Sequence, residues 1–509
     1  MYRSSAQIKR FLFSREGALF IVLFMAAMLI RIPLMTFRGY YADLSTYLRW
    51  GETVTQHFTS IYTTAATGSG FPGNPGGGFP GGFGGPPGGP GGFPSGGSGG
   101  LPGASFNSAI NYPPATPYLF GAIVYLYNQF LEPSFHASLS TLAATNGIGP
   151  FLAKLPLLLA DIAAFVYLSV QARKRHSAAF ALIVSASYAF SPALLYNGAV
   201  WGQTDGFVSF PLLVALFSLL SESYVLAGIS LALAILLKPQ PVIFVPLILL
   251  YLARWTDWKR LLRFAAAALL MVLLFLLPIL IPHFQLVAML NNMQTTSYSD
   301  NALLTSNAFN FWWLIGYAHQ SIGSTFLGIK SGTVGTLLFV GVTLVSAIQI
   351  WRHRQPLALC LGLAVQAFGF FLFMGGQHER YLFFFIPLAL ASVILAPRSS
   401  RPHLVALYIL GTLLCFLNMG VGVGGGSFGN SQPIPFASLP SLSSYLSANF
   451  DAVGQFLALL HLITFCYLLA VYLTQRYEPA TRSGPEETPT LAITGSQAGN
   501  AAQSSPVLL

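Results

Sequence analysis

Apolar stretches long enough to cross a bilayer recur along most of this chain, and they leave few folds open to it. A helix needs about 20 apolar residues to span the hydrocarbon core. Such stretches stand at 18–37, 151–171, 178–199, 207–220, 224–238, 241–253, 262–282, 331–350, 357–374, 381–396, 403–421 and 453–474. Hydrophobic residues make up 54% of the chain and charged ones 7%, a balance outside that of soluble domains. The expectation is an all-α polytopic integral membrane protein, a bundle of about twelve transmembrane helices. The first span follows Arg3, Lys9, Arg10 and Arg15 without a small-residue cleavage site, and it is too long for a signal-peptide core. It is predicted to be retained, with a cytoplasmic N-terminus.

The basic residues test this layout, because cytoplasmic connections should carry them. The segments assigned inside hold 17 of the 24 Lys and Arg: four at 1–16, three at 173–175, four at 254–263, two at 352–354, two at 398–401 and two in the tail. The net charge of +10 is therefore read as topology and a rim near anionic lipid heads, with no nucleic-acid role.

The expected organisation is a cytoplasmic segment at 1–17, the first span at 18–37, an extracytoplasmic loop at 38–150, a bundle at 151–396, further helices at 397–474 and a disordered cytoplasmic tail at 475–509. The first loop has three unlike parts. Residues 39–50 place Tyr40, Leu44, Tyr47, Leu48 and Trp50 on one apolar side of a short helix. Residues 68–103 collapse into Gly, Pro, Phe and Ser and are predicted to be a disordered insert. Asn111-Tyr-Pro-Pro114 then opens a helix of about ten to fourteen residues, expected to lie along the outer interface. Gly422–Gly429 is read as another flexible outer loop. Cys360, Cys415 and Cys466 fall inside spans and follow no metal-ligand spacing.

Four polar clusters interrupt the oily chain: Asp43, Gln203-Thr-Asp205, Lys238-Pro-Gln240 and Gln377-His-Glu-Arg380. Charge counting puts all four on the outer side. The last three each precede a span that enters from outside, so free N–H groups of helix N-termini gather beside Lys238 and Arg380. That pattern suits a phosphate. Asp43 can act as a general base or bind a cation. Arg31 and Asp161 lie deeper and are expected to pair, since an isolated charge there is costly. In the outer loop, Asn307 and Trp312-Trp313 suit either a sugar or headgroup contact or an ordinary capped loop.

These residues resemble the C-fold glycosyltransferases, membrane enzymes that use polyprenyl-phosphate-linked sugars. The chain is similar to the mannosyl- and glucosyltransferases of GPI-anchor and N-glycan assembly and their bacterial relatives. The match rests on Tyr41-Ala-Asp43, Asn111-Tyr-Pro-Pro114, Trp201-Gly-Gln-Thr-Asp205 with Lys238-Pro-Gln-Pro241, and Gln377-His-Glu-Arg-Tyr381. The resemblance implies that Asp43 is the catalytic base on an acceptor hydroxyl. It implies that Lys238, His378 and Arg380 bind the donor phosphate, and that Gln203, Asp205, Gln240 and Tyr112 contact substrate. The implied partners are a polyprenyl-phosphate-sugar donor, a glycan or lipid-linked acceptor and the bilayer. The insert at 68–103 departs from the family pattern. One acid at 43, rather than an Asp-x-Asp pair, favours a metal-free mechanism without cofactor, although Asp205 could join Asp43 around a divalent cation.

The expected function is hexosyl transfer, mannose being the favoured sugar, on the extracytoplasmic side of a bacterial plasma membrane. The alternative is a transporter or flippase of a lipid-linked or anionic substrate. That class calls for inverted repeats and a midplane site, whereas these clusters gather at one rim.

Overall fold

A computed structural model describes residues 14–63, 109–297, 302–424 and 440–477. The tract at 68–103 and the tail from 478 lie outside the described residues. The chain divides into a unit of residues 1–475, which holds every element named below, and a segment of residues 476–509.

All twelve apolar stretches are helical. In chain order the principal helices are α1 Arg15–Met35, α2 Tyr41–His57, α3 Ala115–Phe130, α4 Ile148–Arg175, α5 Ala178–Ala189, α6 Asp205–Leu220, α7 Tyr224–Leu237, α8 Val245–Trp255, α9 Trp258–Leu280, α10 Leu286–Ser297, α11 Ser331–Arg352, α12 Pro356–Phe373, α13 Phe385–Leu395, α14 Arg401–Gly424 and α15 Phe450–Thr474. Eight helical segments among the described residues are long and apolar enough to cross a membrane, one of them running through α5 and the turns after it to Trp201, and four shorter apolar ones accompany them. Two-residue strands lie in the connections: β1 Thr305–Ser306, β2 Thr325–Phe326, β3 Ile329–Lys330 and β4 Gln377–His378.

Burial sorts the helices into layers. In α12, 89% of the apolar window is buried, against 11% in α9. The outer face of α9 leaves Leu262, Leu269, Leu270 and Leu274 exposed. A continuous leucine face of this kind is stable against lipid and not against water, so α12 is the axis of the bundle and α9 its rim.

The basic connections meet at one end. Arg173 pairs with Glu16 at 3.4 Å, a ring nitrogen of His176 bonds the Ile394 carbonyl at 2.6 Å, and Arg175 lies 5.0 Å from the Phe217 ring. Arg260 pairs with Glu222 at 3.2 Å, and Arg254 stacks on Trp351 at 5.0 Å. Ser14, Ser177 and Asp257 cap the helices that start there, each accepting a backbone N–H from the first turn.

Two expectations are revised in detail. The span read at 178–199 is broken: α5 stops at Ala189, Ser191 and Pro192 restart the chain, and Leu195–Trp201 forms a π-helical turn ended by Gly202 at φ 87°. Proline supplies no N–H and cannot continue the preceding ladder. The glycine stretch expected to be a loop from 422 stays helical to Gly424, and residues 425–439 lie outside the described residues.

The long first loop contains two packed helices. Leu44, Tyr47, Leu48 and Trp50 of α2 are buried against Phe120 and Val124 of α3. The approach is close enough that a Cβ at Gly51 would sit 2.6 Å from the Phe120 carbonyl oxygen. Helix α3 runs 16 residues, slightly longer than expected. Deeper in the bundle Arg31 pairs with Asp161 at 3.4 Å, as anticipated, and its Nη1 also donates to the Ala189 carbonyl at 2.6 Å.

Candidate active site

Each short apolar helix has one of the polar clusters at its end. Asp205 opens α6, Lys238 caps the C-terminus of α7, Gln240 begins the 3-10 turn that leads into α8, and Arg380 precedes the 3-10 turn that leads into α13. These helices stop short, and their polar ends come together beside the start of α2.

Asp43 lies in the first turn of α2 and is half-buried. Its Oδ2 accepts from Trp201 Nε1 at 3.0 Å and from Gln203 Nε2. Tyr47, one turn along the same helix, donates its hydroxyl to Gln203 Oε1 at 3.0 Å, which turns the amide so that its NH2 faces the carboxylate. The π-helical turn and Gly202 deliver both donors. Burial pushes the Asp43 carboxyl above the ordinary carboxylate range. The Arg380 guanidinium opposes that rise, the Glu379 charge adds to it, and the Trp201 bond and His378 oppose it.

Arg380 is itself held. Its Nη1 bonds Glu379 Oε1 at 2.5 Å, and the guanidinium lies over the rings of Trp201 at 5.5 Å and Tyr381 at 5.7 Å. Burial alone would raise the Glu379 carboxyl, but Arg380 and His378 outweigh it and hold the group down at about 2. His378 Nδ1 lies 3.8 Å from Glu379 Oε2. The turn that carries all three is fixed by the parallel pairing of β4 with β1 and by Asn418 of α14, whose amide donates to the Glu379 carbonyl at 2.8 Å.

Lys238 and Asp205 form a fully buried ion pair. Asn197 donates to the second Asp205 oxygen at 3.0 Å, and Tyr112, Tyr381 and Phe384 surround the ammonium with ring centroids at 5.9, 5.5 and 5.9 Å. The sequence suggested a direct phosphate contact for Lys238 and a substrate contact for Asp205, and here each is the other's partner. Each Asp205 oxygen thus accepts from one of these two partners. Among the described residues, no three His, Cys, Asp or Glu side chains gather as a metal site.

Several buried polar atoms around this region lack a hydrogen-bond partner among the described residues: Trp50 Nε1, Gln240 Oε1, Gln377 Oε1 and Arg380 Nε. Each such group costs about 1–3 kcal/mol when left unmatched, and native proteins tolerate few of them outside functional sites. Trp50 and Tyr112, 5.1 Å apart, add an aromatic wall. A polar, hydroxyl-rich and anionic ligand is what these groups can satisfy.

Sequence reasoning passed over Glu379, Trp201, Tyr47 and Trp50 as site residues. The first two stood inside quoted motifs, which was the available signal. Trp312 and Trp313, read as either ligand contacts or a capped loop, are buried and donate to Phe373 O at 2.9 Å and Thr305 Oγ1 at 2.7 Å. They brace the loop from within.

Residues 135–375 match the model of glycosyltransferase family 87, a family with the C-fold. The matched stretch includes Gln203, Asp205, Lys238 and Gln240, begins after Asp43 and Tyr112, and ends just before Gln377. A search of curated proteins gives no match.

Proposed function

We propose that this chain, whose residues 135–375 match the model of glycosyltransferase family 87, is a membrane glycosyltransferase that transfers a hexose, with mannose favoured, from a polyprenyl-phosphate donor to a lipid-linked or cell-envelope acceptor. Asp43 accepts the proton of the acceptor hydroxyl as its oxygen attacks the anomeric carbon. The bond to the lipid phosphate breaks on the opposite face, and the configuration inverts. Arg380, with His378 beside it, meets the charge that develops on the leaving phosphate. The Lys238–Asp205 pair holds the floor of the site, and Gln240 and Tyr112 face the sugar. No metal takes part in this reading. The setting is a bacterial plasma membrane with the site on the extracytoplasmic side.

The observation that carries this reading is the convergence on one carboxylate of two oriented donors and a guanidinium, on a surface with unmatched buried polar atoms. The test is sugar transfer by the purified protein in nanodiscs, supplied with polyprenyl-phosphate mannose or glucose and a native lipid extract. The wild type transfers one of these sugars. Asp43→Asn lowers the rate about 10²–10⁴-fold while donor binding persists. Equal turnover by the variant removes Asp43 from the chemistry, and substrate movement across a sealed bilayer without transfer overturns the enzyme reading.

A further inference from the structure

Beneath the Asp43 site lies a fully buried lysine with no ion-pair partner among the described residues. Lys154, near the start of α4, donates its ammonium to three backbone carbonyls: Phe37 at 2.5 Å, Val200 at 2.6 Å and Ala199 at 3.1 Å. An ammonium has three N–H donors, so these acceptors satisfy it without an acid. Two of them belong to the end of the π-helical turn Leu195–Trp201, and the third follows the end of α1 by two residues. Helix ends leave carbonyls unmatched and carry partial negative charge. One cation therefore closes two such ends onto each other.

The backbone around this contact has no slack. A Cβ at Gly39, where φ is 61°, would collide with the carbonyl oxygens of Val200 and Trp201. A Cβ at Gly202 would come within 2.9 Å of Lys154 Cε. The strip 37–39 leads into Asp43, and the strip 199–202 carries Trp201 and leads into Gln203.

We infer that Lys154 is a positioning residue for glycosyl transfer, clamping the end of α1 to the π-helical turn so that Trp201 and Gln203 are held against Asp43. The inference rests on Asp43 being the base. Hydrogen bonds to a carboxylate favour its charged form, so loosening the clamp makes Asp43 harder to ionise. The other groups facing Asp43 are Arg380, Glu379 and His378 on the 377–380 turn, and Tyr40 and Tyr47 on its own segment.

The experiment compares full-length wild type, Lys154→Met, Lys154→Gln, Trp201→Phe and Lys154→Met/Trp201→Phe in nanodiscs. It reads kcat/KM against pH and, independently of activity, the fluorine NMR titration of Trp201 in fluorotryptophan-labelled protein, assigned by its loss in Trp201→Phe. In the folded Lys154 variants kcat falls about 10–100-fold, as a small misplacement of reacting groups requires, with little change in donor KM. The acidic limb and the Trp201 titration midpoint both move up by about one pH unit. Trp201→Phe moves the limb the same way, and the double variant adds nothing further, as expected for residues acting through one contact. A folded Lys154 variant with unmoved limb and midpoint overturns the inference. So does failure of both Lys154 variants to fold when Trp201→Phe folds, which makes the lysine a folding residue only. If the wild type transfers no sugar, the proposed function fails, while the fluorine titration still reports on the clamp.

Discussion

Asp43 is held between influences of opposite sign, and that balance sets how its rate should respond to pH. In the proposed role of general base Asp43 works only when deprotonated, so kcat/KM should rise with pH through its pKa, which burial has pushed up. Glu379 adds to that rise and Arg380 opposes it. Glu379→Gln should therefore move the acidic limb to lower pH and Arg380→Gln to higher pH, even though both lower the rate; limbs moving in the same direction would contradict the placement of the charges. Glu379 also contributes to stability. Its folded pKa is depressed to about 2 from an ordinary 4.5, so its contribution is full above that ordinary value and is lost as pH falls toward 2. Glu379→Gln should show a flatter loss of Tm across that acid window than the wild type. At this scale the sequence made Asp43 and Arg380 legible, because a charge in an oily chain needs a reason. Glu379 and Trp201 stood inside quoted motifs without a role, since hydrogen-bond direction leaves no trace in residue order.

The elements that build the site are the irregular ones. Hydropathy locates apolar segments, and all twelve are helices. It does not register that α5 stops at Ala189 and resumes as a π-helical turn, because 178–201 is apolar on average and only Ser191-Pro192 marks the break. Nor does it show which helices touch: the α2 and α3 pairing depends on glycines at 51 and 121 that admit a close approach. Gly39 and Gly202 carry the backbone strain of the joint. A non-glycine residue in that conformation costs about 1–2 kcal/mol. Both Gly39→Ala and Gly202→Ala should lower Tm in thermal unfolding, Gly39→Ala more, because its neighbours are backbone carbonyls while Gly202 meets a lysine side chain that can yield. Arg31→Met leaves Asp161 buried without its cation and should cost about 3–5 kcal/mol, with Arg31→Met/Asp161→Leu recovering most of the loss.

Across the unit of residues 1–475, charge divides the two ends. The connections at 173–176, 222, 254–260 and 394–401 gather at one end, and the clusters at 43, 203–205, 238–240 and 377–380 at the other. In a cysteine-free background, Ser399→Cys and Leu327→Cys should react with an impermeant maleimide from opposite sides of intact cells or vesicles, Leu327 from the outside. Labelling of both from one side would refute the layout. The short helices have a consequence of depth. Helices α6 and α7 have 16 and 14 residues, so at 1.5 Å per residue they rise about 24 and 21 Å, against a hydrocarbon thickness of about 30 Å. Level at their other ends, they stop about 6–9 Å short of the edge of the hydrocarbon core. The proposed lipid-borne donor would then have to lower its own headgroup beneath its neighbours to react, so bilayer thickness would become a control on rate: thicker membranes lengthen that descent, and thinner ones remove it.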